Sequence, residues 1–147
     1  MKIAIFGTGA VGGHVAARLG AGAADAGIEV AAVARGAQLA AIIQRGITLW
    51  IGEERYSTRI HATDRPDSLG VQDVVFVALK SSVLTVAAPG IVPLIGPDTS
   101  VIFAMNGIPW WYLYRCPDNG VARPDLSLLD PAACWSAGSG SNGSSAA

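Results

Sequence analysis

Charged residues are scarce in this sequence. Asp, Glu, Lys and Arg together make up 14% of the 147 residues, whereas they make up about 25% of an average soluble protein. The formal net charge is −1 and no run of basic residues occurs, which argues against nucleic-acid binding because that function needs a basic surface. Hydrophobic residues reach 51%, so we expect part of the surface to be covered by something outside this chain. A small molecule is the ligand that this composition favours.

The sequence also lacks a long uninterrupted apolar segment and a cysteine pattern. Residues 83–95 are apolar but are interrupted by two prolines and a glycine, so they are too broken for a transmembrane helix of about 20 residues. The apolar run at residues 3–6 is shorter than the core of a secretory signal, which needs about 7–15 residues. Cys116 and Cys134 are the only cysteines and have no C-x-x-C spacing, which is typical of reduced thiols in a cytosolic protein. We therefore expect a cytoplasmic protein with no membrane span, no nucleic-acid partner and no metal site.

A glycine-rich stretch near the N-terminus carries the main functional signal, because Gly7, Gly9 and Gly12 follow an apolar run at the G-x-G-x-x-G spacing. In this motif the first glycine permits a tight turn, the second lets a pyrophosphate approach the backbone, and the third allows close helix packing. The free N–H groups at the start of the next helix also attract phosphate. The pattern predicts a dinucleotide site, and the alternative is an ordinary turn followed by two helix-packing glycines. The cofactor-binding residues predicted in this loop are Gly7, Thr8, Gly9, Ala10, Val11 and Gly12.

The residues after this stretch predict a compact β-α-β unit. Val11, Val15 and Leu19 recur every four residues and predict an apolar stripe on a helix that runs from residue 10 to about residue 26. Residues 28–34 predict a second strand, rich in β-branched residues. Together with the first strand they form a unit that binds dinucleotides in open α/β folds.

The residue after the second strand indicates the cofactor. NAD sites commonly place Asp or Glu there to bind the ribose 2′-hydroxyl, whereas an arginine nearby accommodates the 2′-phosphate of NADP. Arg35 occupies this position with no carboxylate beside it, and Glu29 lies at the start of the strand, on the edge away from the ligand. NADP(H) is therefore the predicted cofactor, and a solvated surface arginine is the alternative interpretation of Arg35.

The middle of the chain departs from a simple β-α repeat. Residues 36–45 predict a second helix, which ends at Gly46. Residues 47–51 and 55–61 alternate apolar and polar side chains on either side of residues 52–54, which predicts a hairpin or a pair of short strands.

Two further buried strands are predicted in the second half of the chain. Residues 74–79 are continuously apolar, which is typical of a parallel strand buried on both faces, and Lys80 follows them. One of the two serines that come next is expected to cap a helix, which its prolines predict to be short, kinked or broken in two. Residues 100–105 form the other strand and lead into Asn106. Because open α/β sheets bind ligands at the carboxyl ends of their strands, we expect the glycine loop, Arg35, Lys80 and Asn106 to converge there.

A dense aromatic patch and a polar tail occupy the last part of the sequence. The patch consists of Trp110, Trp111, Tyr112 and Tyr114. Because Trp and Tyr suit positions with one buried face and a wet polar tip, the patch predicts a docking surface for a missing domain or a partner subunit, including a homodimer. Local core packing is the alternative. Residues 136–147 contain only Ser, Ala, Gly and Asn and predict a flexible tail, which leaves residues 1–135 as a Rossmann-type NADP(H)-binding domain.

Four blocks of this sequence, in this order, resemble the N-terminal domain of the ketopantoate reductase (2-dehydropantoate 2-reductase) family. They are Lys2 to Gly13, Ala34 to Gly36, Ala78 to Ser81 and Asn106 to Pro109. The resemblance implies a Rossmann-like, doubly wound α/β fold with a mainly parallel sheet. It also implies NADPH-dependent reduction of a 2-keto acid, 2-dehydropantoate to pantoate in pantothenate biosynthesis. In that case the three glycines lie at the pyrophosphate and Arg35 at the 2′-phosphate, with Lys80 and Asn106 as catalytic candidates near the nicotinamide ribose and the substrate.

Two departures from the family pattern bear on function. Members commonly carry glutamine where this chain has Val83 and Met105, which leaves the substrate open. The family also carries a helical C-terminal domain that supplies a catalytic lysine and a substrate-binding acid, and nothing in this sequence replaces it, since Lys2 and Lys80 are its only lysines. We therefore expect a cofactor-binding chain that is incomplete as a catalyst. The alternatives are a non-catalytic nucleotide-binding or interaction domain, and another 2-hydroxy acid dehydrogenase of the same superfamily.

Overall fold

The computed structural model of the protein describes residues 1–106, which form a parallel sheet with helices on both faces. The elements in chain order are β1 (Lys2–Phe6), α1 (Ala10–Gly22), β2 (Glu29–Val33), α2 (Gly36–Arg45), β3 (Ile47–Ile51), β4 (Glu54–Thr58), β5 (His61–Thr63), β6 (Val74–Val77), α3 (Ser81–Ile91) and β7 (Ser100–Phe103). Short 3-10 helices at Pro66–Leu69 and Val92–Leu94 precede β6 and β7. The five-stranded sheet has the order β5-β2-β1-β6-β7, and every pair in it is parallel. The Rossmann-like α/β fold expected from the sequence is confirmed.

The centre of the sheet is buried on both faces because its strands are almost wholly apolar. Residues 3–6 of β1 are all buried, and β6 contributes Val75 and Val77, which have no exposed surface. Side chains alternate between the two faces along a strand. Phe6 therefore packs with the β6 valines in the cluster that contains α3, whereas Ile5 packs in the cluster that contains α1. The two helices cover opposite faces, which is the doubly wound arrangement.

Helix α1 packs on the sheet through its smallest residues, so the predicted apolar stripe is wrong at one of its three positions. Gly12, Ala16 and Ala17 are the buried residues of this helix, whereas Val11 is 54% exposed. The other two positions of the stripe are partly buried against the core. Small side chains let the helix lie close to the sheet, and the bulkier Val11 is left outside the contact. The helix also ends at Gly22, earlier than expected, because the chain turns there toward β2.

Strands β3 and β4 form the predicted antiparallel hairpin, which contacts α1 and stands apart from the main sheet. The hairpin ends at Thr58, so the prediction that it continues to His61 is wrong. His61 instead begins β5, which pairs with β2 as the edge strand of the main sheet.

The side chain of Tyr56 in β4 links the hairpin to α1, since the guanidinium of Arg18 in α1 lies 4.5 Å from the centre of the Tyr56 ring. Tyr56 also donates a hydrogen bond to Glu54, which raises the pKa of Tyr56 because the bond favours the neutral phenol.

Helix α3 has no side-chain cap, so the predicted capping by Ser81 or Ser82 is wrong. Lys80 is the residue before its first turn, and no side chain bonds the free N–H groups there. The helix continues through Pro89 to Ile91 and gives way to a 3-10 turn that contains Pro93. Although α3 is apolar, neither it nor any other helix within residues 1–106 is long and apolar enough to cross a membrane.

Candidate functional site

The loops that carry the predicted site residues lie side by side because the strands before them are neighbours. Backbone hydrogen bonds hold the strand ends level: the Gly7 N–H donates to the Val33 carbonyl at 3.0 Å, and the Ala78 N–H donates to the Phe6 carbonyl at 2.9 Å. Strand β7 is held to β6 in the same way. The carboxyl ends of β2, β1, β6 and β7 therefore form one continuous edge.

This edge brings together the predicted site residues. The glycine loop follows β1, Arg35 follows β2, Lys80 follows β6 and Asn106 follows β7. The strand order reverses between β1 and β6, because the chain first builds the sheet on the β2 side and then returns to the other side of β1. Open α/β sheets bind ligands in the crevice at such a reversal. The residues lie where a ligand is expected, although their individual roles stay predictions.

The first and third glycines of the motif are required by the fold itself. Gly7 has φ +91°, a backbone conformation that favours glycine. A Cβ at Gly7 would lie 2.6 Å from Cδ2 of Leu79, and a Cβ at Gly12 would lie 1.9 Å from the Gly7 carbonyl oxygen. Helix α1 can approach the end of β1 only because these side chains are absent.

Replacing Gly12 with alanine is therefore expected to destabilise the fold by about 2 kcal/mol or more, as in overpacked cores. The clash involves backbone, so relief requires the helix to move. Urea denaturation of the purified chain measures the change. Gly22→Ala, at the other end of α1 where a Cβ meets nothing within 4 Å, is the matched control and should be neutral or slightly stabilising. Equal stability of the two variants would contradict this account of the motif.

The second glycine is not required by the fold. Gly9 has φ −65° and ψ −160°, which any residue can adopt, and a Cβ placed on it meets nothing within 4 Å. It is exposed directly before the first turn of α1. The space in front of Gly9 is thus open at the point where the free N–H groups and the partial positive charge of the helix are directed.

Thr8, between the first two glycines, carries two polar groups in a buried position. The residue is 6% exposed, and its hydroxyl has no hydrogen-bond partner within residues 1–106. Its carbonyl accepts a hydrogen bond from the side-chain amide of Gln38, in the first turn of α2. Gln38 was not predicted from the sequence. Gln38 lies three residues after Arg35 and so at the same carboxyl edge of the sheet. Its hydrogen bond to Thr8, however, depends on the distance between two loops that are far apart in sequence.

A cavity of about 230 Å³ lies beside Arg35, between the glycine loop and the start of α3. Its walls are apolar except for Arg35 and Gln38 at one side. The lining residues are Phe6, Gly7, Val33, Ala34, Arg35, Gln38, Leu79, Val83 and Ala87. Val83, at the start of α3, contributes to the apolar wall. The cavity therefore offers a largely apolar surface with a positively charged side chain in its wall.

Lys80 and Asn106 end adjacent strands of the crevice. Both residues are exposed, and neither side chain makes a hydrogen bond or an ion pair with another of residues 1–106. An exposed ammonium and an exposed amide are both available as hydrogen-bond donors. Within the same residues, no group of three or more His, Cys, Asp or Glu side chains could hold a metal ion.

Several sequence-based predictions lie outside the described residues. These are the aromatic patch at Trp110, Trp111, Tyr112 and Tyr114, and the boundary between a domain ending at residue 135 and a tail at residues 136–147. They stay predictions.

Comparison with known proteins shows the family to which the chain belongs. Residues 3–109 match the family model described as ketopantoate reductase PanE/ApbA. A 2-dehydropantoate 2-reductase from Mesorhizobium japonicum is 43% identical to this chain over 141 residues, which cover 92% of this chain and 40% of that protein. The chain thus spans about two fifths of the length of this relative.

Solved structures of related oxidoreductases match the fold of this chain. A crystal structure described as a ketopantoate reductase from Ralstonia solanacearum MolK2 matches with a TM-score of 0.79 and 40% identity, covering 92% of this chain and 40% of that one. The ternary structure of D-mandelate dehydrogenase with NADH and anilino(oxo)acetate matches with a TM-score of 0.60 and 26% identity, covering 74% of this chain and 34% of that one. With its parallel sheet, its glycine loop and a family match over residues 3–109, the chain belongs to the ketopantoate reductase PanE/ApbA family.

Proposed function

We propose that this chain is the NADP(H)-binding part of an oxidoreductase that reduces a small 2-keto acid, specifically 2-dehydropantoate to pantoate in pantothenate biosynthesis. The observation that carries the proposal is the open space at Gly9, before helix α1 and at the strand reversal. The fold accounts for the other two motif glycines but not for this one, and the close approach of a pyrophosphate accounts for it. When bound, NADPH supplies the hydride. The cysteine usage supports a cytoplasmic location.

The residues of the crevice fit a dinucleotide in three respects. The start of α1 offers free N–H groups and a partial positive charge to the pyrophosphate. The apolar cavity of about 230 Å³ suits the adenosine. Arg35 in the wall of that cavity suits the 2′-phosphate, because a guanidinium binds phosphate oxygens in pairs.

Arg35 is the basis for proposing NADP(H) over NAD(H). The related D-mandelate dehydrogenase structure contains NADH, so family membership alone leaves the nucleotide open. An acidic residue at the end of β2 would repel a 2′-phosphate, and this chain has arginine there, followed by Gly36 and Ala37. The charge at this position therefore favours the phosphorylated cofactor.

Arg35→Asp is expected to remove most of the preference for NADPH over NADH. A charge-assisted contact with the 2′-phosphate contributes about 1.5–3 kcal/mol, which is a preference of about ten- to a hundredfold in Kd. Isothermal titration of both cofactors, with the parent and the variant, measures it. Arg59→Asp changes the net charge equally at an exposed residue before β5, at the far edge of the sheet, and should leave the preference intact. Equal affinities of the parent protein for NADPH and NADH would overturn the assignment.

Lys80 and Asn106 are the residues we propose for the substrate side of the crevice. They follow the neighbouring strands β6 and β7, on the far side of the strand reversal from Arg35. A ketone that accepts a hydride gains negative charge on its oxygen, which an ammonium or an amide N–H can stabilise. Lys80 would supply the positive charge and Asn106 would orient the keto acid near the nicotinamide ribose.

A second candidate function, protein docking, is favoured by the outer side of α3. Val86 in α3 is 77% exposed, Val92 in the 3-10 turn after it is 61% exposed, and α3 contains no charged residue. Exposed apolar side chains suit a surface that another domain or subunit covers. We propose that a helical domain or a second copy of the chain docks on this side of α3, and the sequence-based proposal of docking through the aromatic patch at residues 110–114 stands beside it. This role is compatible with cofactor binding and does not require catalysis by the chain itself.

A further inference from the structure

We propose that Gln38 is a positioning residue that holds the glycine loop at a fixed distance from Arg35, so that one nucleotide can reach both; this inference rests on the proposed NADP(H) site. The side-chain amide of Gln38 donates a hydrogen bond to the carbonyl of Thr8, which is 30 residues earlier in the chain. Within residues 1–106 it is the one side-chain hydrogen bond between the glycine loop and α2. It joins the two segments that a dinucleotide must span.

The position of Arg35 shows why such a link is needed. Arg35 is the extended residue before α2, and Gly36 follows it with φ +54°, so the chain turns sharply there. A Cβ at Gly36 would meet nothing within 4 Å, so the space beside this turn is open. Gln38 lies in the first turn after it. Its bond to Thr8 is therefore the nearest side-chain link between the backbone that carries the guanidinium and the glycine loop.

The Thr8 carbonyl in the glycine loop also depends on Gln38 for its hydrogen bond. Thr8 is buried, and its hydroxyl already lacks a partner. Without Gln38 the Thr8 carbonyl would also lose its side-chain donor, and leaving a buried polar group unpaired is costly. The loop is expected to move or fluctuate to regain a donor. Such movement would shift Gly9 and the start of α1 relative to Arg35.

This arrangement predicts an effect that depends on the length of the ligand. NADP⁺ must engage the glycine loop and Arg35 at once, whereas adenosine 2′-monophosphate needs only the cavity and Arg35. Loss of the Gln38 bond should therefore weaken NADP⁺ and spare the shorter ligand. A residue that merely stabilised the fold, or that touched the adenosine directly, would affect both ligands.

The test uses Gln38→Met, which keeps the length of the side chain and removes the donor. We expect the Kd for NADP⁺ to rise about three- to tenfold, the equivalent of one hydrogen bond, while the Kd for adenosine 2′-monophosphate changes less than twofold. Amide hydrogen exchange at Gly9 to Gly12 should accelerate in the ligand-free variant. Gln44→Met, at an exposed residue near the end of the same helix, is the control and should change neither.

The outcomes separate this inference from the proposed function. Unchanged NADP⁺ binding and loop exchange in Gln38→Met, with a parent protein that binds NADP⁺, would overturn the inference alone. An equal loss for both ligands would also overturn it, by showing a direct contact or a general loss of structure. A parent protein that fails to bind either NADP⁺ or NAD⁺ would overturn the proposed function and this inference with it.

Discussion

Gly9→Val is expected to abolish detectable NADPH binding while the fold survives. The backbone at Gly9 has φ −65°, which valine can adopt, and the new Cβ would meet no protein atom within 4 Å. The branched side chain would instead fill the space before α1 that the pyrophosphate is proposed to use. Losing two charge-assisted hydrogen bonds there, at about 1.5–3 kcal/mol each, lowers affinity by more than about a hundredfold. Circular dichroism and isothermal titration, on the same samples, measure fold and binding.

The control for this variant adds the same side chain at the opposite end of the helix. Gly22→Val also places its Cβ in open space, so it should keep both the fold and the affinity. A Gly9→Val protein that binds NADPH like the parent would mean that the glycine loop is only a turn. A variant that unfolds would mean that the loop has less room than the structure shows.

Much of the fold could be predicted because it is specified by local patterns. The continuous apolar run at residues 74–79 identified strand β6, in which Val75 and Val77 on one face are fully buried and Phe76 on the other face is partly buried. The spacing of Gly7 and Gly12 identified the turn and the helix contact, and both glycines are required sterically. Each of these signals lies within about a dozen residues. Local sequence is therefore enough to place the carboxyl edge and the residues that follow its strands.

The features that could not be predicted depend on packing between distant segments. Val11 was expected in the core, but α1 approaches the sheet so closely that its fully buried residues are Gly12 and two alanines. His61 was assigned to the hairpin, although its pairing partner is in β2, 30 residues earlier. Gln38 gave no local signal, because its partner, Thr8, is equally distant. The alternation of apolar residues and the spacing of glycines describe a single segment of the chain. The contacts of Val11, His61 and Gln38 depend instead on which distant segments pack against each other.

The 147-residue chain is expected to bind NADPH yet to reduce 2-dehydropantoate at less than about 0.01 s⁻¹. Hydride addition to a ketone leaves an alkoxide, which needs a proton donor or a cation, and one such group is worth about 10²–10⁴ in rate. Ordinary enzymes turn over at about 1 s⁻¹ or faster. Lys80 is exposed beside the crevice, and the other lysine, Lys2, lies at the start of β1, at the far edge. We therefore expect the proton donor to come from outside this chain.

Orientation of the substrate lowers the expected rate further. The crevice is bounded by the loops after β1, β6 and β7, and Lys80 and Asn106 at its edge are both exposed. A keto acid held from one side stays in contact with water and samples many orientations, and loss of orientation costs several orders of magnitude in rate. The loss of nicotinamide absorbance with 2-dehydropantoate and a panel of other 2-keto acids measures turnover, and Lys80→Ala tests whether any residual activity uses that ammonium. Turnover near 1 s⁻¹ by the parent chain would show that it is a complete catalyst, and an unchanged residual rate in Lys80→Ala would remove Lys80 from the reaction.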